Sequence, residues 1–117
     1  MHTAHLVLTA IVALLHTWFM VLEMVLWTRP MGRRAFGLKV DFAESTKALA
    51  ANQGLYNGFL VAGLVWGLWL GQAGHDIRVF FLGCVVVAGV FGALTVNRRI
   101  FFIQGLPAVI ALGLTLL

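Results

Sequence analysis

Residues 79–96 read VFFLGCVVVAGVFGALTV. From Val79 to Val96 no side chain is charged, and apolar residues follow one another without alternation. In lipid every backbone polar group must be satisfied internally, so only helices and closed barrels cross a bilayer. A barrel strand alternates apolar and polar side chains; this run does not, and it reads as a helix. The same continuity recurs at Ala4–Trp27, Leu49–Leu70 and Ile100–Leu117. Each stretch is close to the roughly 20 residues that span a hydrocarbon core, those at 79–96 and 100–117 being the shorter pair. The expected fold is therefore all-α: a four-transmembrane-helix bundle forming one transmembrane domain over residues 1–117.

Composition points the same way. The 117 residues are 62% hydrophobic and only 10% charged, with a mean hydropathy of +0.99. A soluble domain carries roughly 25% charged residues, so this chain has too little polar surface to cover a water-facing globule. The first stretch lacks the basic n-region of a signal peptide, with His2 and His5 in its place, and is expected to be a retained helix. Cys84 is the single cysteine, which leaves no disulfide framework and no cysteine-based metal site. The pI near 10.3 does not call for nucleic acid as a partner. The basic residues flank apolar stretches, where anionic lipid headgroups attract them. The lipid bilayer is the expected partner, and a cell membrane crossed several times the expected location.

Sidedness follows from Lys and Arg placement. The polar connection Thr28–Ala48 carries Arg29, Arg33, Arg34, Lys39 and Lys47, and the hairpin Asn97-Arg98-Arg99 adds two more. The turn Gly71–Arg78 offers only Arg78. A cytoplasmic loop at 28–48, with both termini non-cytoplasmic, satisfies this bias. Trp27, Trp66, Trp69 and Phe101-Phe102 mark the rims, where amphipathic rings favour the interface. Pro30 is expected to stop the first helix. Asp41 and Glu44 suggest a capping box that starts the second helix before it enters the bilayer. Pro107 should kink the fourth helix near Ile103, whose carbonyl loses its partner.

Helices in lipid associate through small residues. The second stretch has two such series, Gly54-Gly58-Ala62 and Gly63-Gly67-Gly71, which start about 180° apart at 100° per residue. Cys84, Ala88 and Gly92 repeat the spacing in the third. Intramolecular packing accounts for these faces. The competing use is a homo-oligomer through the Gly/Ala faces of the second helix.

Ionisable groups inside a membrane helix are costly and call for a reason. The first stretch carries His5, His16 and Glu23 within about 20° of one another around the helix axis, with Thr9 and Met20 close by. This stripe should face the interior. His16 and Glu23 lie about 10 Å apart along the axis, too far to touch. Polar residues at a similar expected depth are Asn52, Gln53, Tyr56 and Asn57 on the second helix, with Arg98 and Gln104 near the ends of the third and fourth. The candidate polar pocket is thus His16, Glu23, Asn52, Gln53, Tyr56, Asn57, Arg98 and Gln104, in the cytoplasmic half. No metal-binding spacing, phosphate loop or nucleophile elbow appears, and neither a cofactor nor a catalytic residue is expected. His5 near the outer rim and the pair His75-Asp76 read as solvated.

The segments Leu15-His16, Leu22-Glu23-Met24-Val25-Leu26-Trp27 and above all Asn52-Gln53-Gly54-Leu55-Tyr56-Asn57-Gly58-Phe59-Leu60 resemble a bacterial membrane-protein family catalogued as domain of unknown function 1304. The resemblance covers nearly the whole chain and implies a compact four-helix membrane protein, without an assigned activity, substrate or cofactor. Three functions fit the residues. The first is binding or transport of a small polar solute or proton at the polar cluster. The second is a structural or assembly subunit in which that cluster is helix glue. The third, to which the sequence leans least, is an enzyme on a lipid-like substrate with His16 or Glu23 as general base.

Overall fold

The computed structural model describes residues 2–117, with side chains from Thr3 onward. These residues contain five α-helices and no strand: α1 His2–Met24, α2 Pro30–Phe36, α3 Val40–Trp69, α4 His75–Thr95 and α5 Leu106–Leu116. A 3-10 turn, Gly71–Gly74, leads into α4, and a π-helical turn, Phe101–Gly105, leads into α5. Among the described residues two helical spans, Thr3–Met24 and Gly71–Thr95, are long and apolar enough to cross a membrane, and Phe101–Leu116 is a shorter apolar helix. In α3 the polar Asn52, Gln53 and Asn57 interrupt the apolar run. The residues fall into two compact units. One holds the chain up to Leu15 together with Leu60–Leu117, and the other holds His16–Phe59.

The first unit is built on a single apolar cluster. Val12 and Ala13 of α1, Leu64 of α3, Leu82 and Val85 of α4, and Ala108 and Ala111 of α5 are buried together. Small residues let the backbones meet. A Cβ on Gly89 of α4 would lie 2.6 Å from Gly105 Cα, so α4 and the π-helical turn touch main chain to main chain. Asn97 closes the tight turn between them, its Oδ1 accepting the Arg99 N–H at 2.9 Å. The disturbance expected around Pro107 takes a specific form. In the widened turn the Leu106 N–H reaches back to the Phe101 carbonyl. A regular helix resumes as α5 with Pro107 in its first turn, so the widened turn lies directly before the residue that lacks an N–H.

At the other end of this unit, Arg78 is only 2% exposed. Its Nη1 donates to the carbonyls of Gly67 and Gly71, both at 2.6 Å. The Gly67 carbonyl belongs to the last turn of α3, whose last acceptors have no partner within the helix, and the Gly71 carbonyl to the 3-10 turn that follows. A cation there also opposes the negative end of the helix dipole. Gly71, at φ 62°, takes the left-handed conformation that lets the chain turn back beneath Arg78.

In the second unit α1 stops at Met24, and Trp27 lies beyond its end rather than within it. The Trp27 indole N–H donates to Thr46 Oγ1 at 3.0 Å, and its ring packs 5.0 Å from Phe36. The stretch 28–48 is not all loop, because it contains α2 and the first turns of α3. Pro30 opens α2, its fixed φ suiting a first helical turn. Gly37 closes α2 at φ 65°, and the N–H groups of Gly37 and Leu38 both bond the Arg33 carbonyl. The capping box is displaced as well. The Ala43 N–H bonds the Lys39 carbonyl, so Asp41 sits inside the first turn of α3 rather than at its cap. Glu44 instead pairs with Lys47 on the exposed face, at 3.3 Å.

Candidate functional site

The polar stripe of α1 is a buried one. His5 is 7% exposed, and Thr9 and His16 are fully buried. Thr9 Oγ1 donates to the His5 carbonyl at 2.7 Å. The His16 ring stands edge-on to Phe19, with centroids 5.2 Å apart. At the last residue but one of α1, half-buried Glu23 accepts a hydrogen bond from Asn57 Nδ2 of α3, at 2.5 Å. Asn57 is 6% exposed.

Two glycines make this meeting possible. A Cβ on Gly54 would lie 2.5 Å from Met24 Cγ and 3.2 Å from the Met20 carbonyl oxygen, and one on Gly58 would lie 3.0 Å from Met20 Sδ. With Gly54 and Gly58 flanking Asn57, α3 comes close enough to α1 for a short amide to reach a carboxylate. The first small-residue series is therefore used within the chain at Gly54 and Gly58, while Ala62 is exposed.

The other expected members lie apart from this pair. Asn52 and Gln53 are exposed, and so is Tyr56, whose ring packs 6.0 Å from Phe59. The buried face of this part of α3 runs through Ala43, Ala50, Gly54 and Asn57. At about 100° per residue it is centred to one side of Asn57, which leaves Gln53 beyond its edge and Asn52 and Tyr56 well outside it. Arg98, exposed in the turn after α4, and Gln104, half-buried in the π-helical turn, belong to the other compact unit. Of the eight residues singled out from sequence, the geometry joins Glu23 and Asn57.

Chemically, the pair is a carboxylate beside an amide in an otherwise apolar contact. Such a group can take up a proton or accept a hydrogen bond from a polar or cationic solute. Among the described residues no group of three or more His, Cys, Asp or Glu side chains is placed to hold a metal ion.

His5, which the sequence left in solvent, is placed differently, and the turn that holds Arg78 and the exposed His75 is partly helical. His5 and Arg78 are buried, and His75 begins α4 rather than lying in a loop. His5, His75 and Arg78 line one pocket of about 470 Å³ in the first unit. The available signal was the position of Arg78 three residues after His75, one helical turn on along the same face.

Comparison with known proteins adds kinship. No solved structure matches the chain. The uncharacterized protein YpaA of Lactococcus lactis subsp. lactis (strain IL1403) is 30% identical over 109 residues, 92% of each chain. Residues 10–116 match the family described as protein of unknown function (DUF1304). With that match running over nearly all of its length, the chain belongs to the DUF1304 family.

Proposed function

We propose that the chain is a four-span integral membrane protein that binds a small polar solute or a proton at Glu23 and Asn57, and passes it across the bilayer as an oligomer. Membrane residence is supported by the distribution of apolar surface. A core helix of a water-soluble protein is mostly buried, yet only 33% of the α1 window and 22% of the α4 window are buried within the chain. On α4, Phe80, Val87, Phe91 and Leu94 are all exposed. A face of that size in water would be an association surface; in lipid it is in its proper solvent. Ala4–Trp27, Leu49–Leu70, Val79–Val96 and Ile100–Leu117 supply the four spans. The Lys and Arg bias puts residues 28–48 and the Asn97–Arg99 turn in the cytoplasm and both termini outside.

The observation that carries the binding reading is the Glu23–Asn57 hydrogen bond. An ionisable group inside a membrane helix is functional by default, and its partner is expected close by. Four short helices rarely enclose a complete pathway, so self-association is part of the reading. The test is proton flux into proteoliposomes loaded with a pH-sensitive dye. Wild-type protein should conduct, while Glu23→Gln and Asn57→Leu should lower the rate sharply. Flux that both variants leave unchanged refutes the assignment.

A second reading, helix glue in a structural subunit, is favoured by the same contact, since Gly54 and Gly58 pack on α1 on either side of it. Interhelical polar contacts in a membrane bundle contribute about 0.6 kcal/mol on average. Under this reading the two variants lose stability without any flux to lose. The enzyme reading receives less support. His16 is fully buried, and it lines neither the pocket at Arg78 nor the shallow one at Arg33 and Arg34.

A further inference from the structure

The pocket at the start of α4 has a feature that helix capping does not use up. Arg78 spends Nη1 on the carbonyls of Gly67 and Gly71, but its Nε, fully covered, donates to nothing. No carboxylate among the described residues forms an ion pair with it. Asp76, the acid nearest in sequence, is fully exposed and turned to His75 Nδ1 at 3.2 Å. A guanidinium this deeply buried without a counter-charge is costly. Gln72 adds a side-chain amide to the pocket wall, which His5 and His75 also line. His75 Nε2 lies 3.3 Å from the Thr115 carbonyl, which holds the ring at the pocket edge. Leu114 gives the wall an apolar side.

We infer that this pocket binds a phosphate-class oxyanion, either free phosphate or the phosphate of a lipid headgroup. The guanidinium fork suits phosphate oxygens, and it is less strongly hydrated than an ammonium group, so it serves well in a covered site. The side-chain amide of Gln72 adds N–H donors to the guanidinium around one anion. A volume of about 470 Å³ exceeds what inorganic phosphate fills and leaves room for an ester. The site uses none of the atoms of the Glu23–Asn57 pair, and it stands whether or not that pair binds a solute.

The experiment takes the full-length protein in an uncharged detergent and titrates it with inorganic phosphate or with dihexanoylphosphatidylglycerol below its micellar concentration. Sodium chloride at matched ionic strength is the blank, and binding is followed calorimetrically. Saturable one-to-one binding of either probe supports the site. Phosphate alone identifies a free anion as the occupant, and the lipid alone identifies a headgroup. Gln72→Leu removes a donor without touching the α3 cap and should weaken binding about tenfold, the worth of one hydrogen bond to a charged group. Arg78→Lys keeps the charge, loses the fork, and should weaken it further. Glu23→Gln should bind as wild type does. Saturable binding of neither probe overturns the inference, as does binding that Gln72→Leu and Arg78→Lys leave unchanged.

Discussion

Gly83 and Gly89 lie in the same helix, both inside its regular part, and differ in what faces them. A Cβ at Gly83 meets nothing within 4 Å, whereas one at Gly89 lies 2.6 Å from Gly105 Cα and 2.8 Å from Gly105 N. Alanine favours a helix interior over glycine by about 0.5–1 kcal/mol, and both substitutions share that gain. Gly83→Ala should therefore stabilise the protein by roughly that amount. At Gly89 the obstruction is main chain, which cannot turn aside as a side chain can. Overpacking of this kind costs about 1–3 kcal/mol. The two variants should differ by that cost alone, with Gly89→Ala the less stable. The measurement is reversible unfolding in mixed micelles by titration with a denaturing detergent, followed by circular dichroism. Because helix propensity cancels between the variants, the sign of the difference tests the close approach of α4 to the π-helical turn. Gly89→Ala as stable as Gly83→Ala would refute it.

Two further outcomes follow from the same structure. Leu82 is fully buried in the apolar cluster of the first unit, so Leu82→Ala should destabilise by about 2–5 kcal/mol in the same micelle titration, and a change below 1 kcal/mol would mean that the cluster is loosely packed. A reporter that fluoresces only in the cytoplasm should be dark when fused after Leu117 and bright when inserted between Phe36 and Lys39; the reverse pattern would overturn the proposed sidedness.

The helical class was legible because continuous apolar runs are a one-dimensional property, and so was the buried stripe of α1, because a single period relates His5, Thr9, His16 and Glu23. Asn57 could be nominated by its cost in a membrane helix. Its selection over Asn52 and Gln53 could not be read, because it depends on where the centre of the buried face of α3 falls, and Ala43, Ala50 and Gly54 set that centre. The helix α2 escaped for a different reason. Seven residues, two of them arginine, carry too short a pattern to show a period, and the helix is fixed by its ends, Pro30 opening it and Gly37 closing it.

Arg78 shows where spacing stops carrying information. An arginine at the foot of an apolar helix looks the same in sequence whether it reaches water or folds inward. Here the difference is made by the glycines of a series that reads as one packing face. Gly63 leaves room for the Phe81 ring. Gly67 and Gly71 supply the carbonyls that Arg78 holds, and Gly71 alone needs a positive φ. One spacing of four thus serves ring packing, hydrogen bonding and chain reversal in turn. The chain reversal brings Arg78 back to the end of α3, where it lines the pocket with its Nε covered. The burial of Arg78 is thus a consequence of the turn, and its spacing from His75 is the trace of the pocket that the sequence carries.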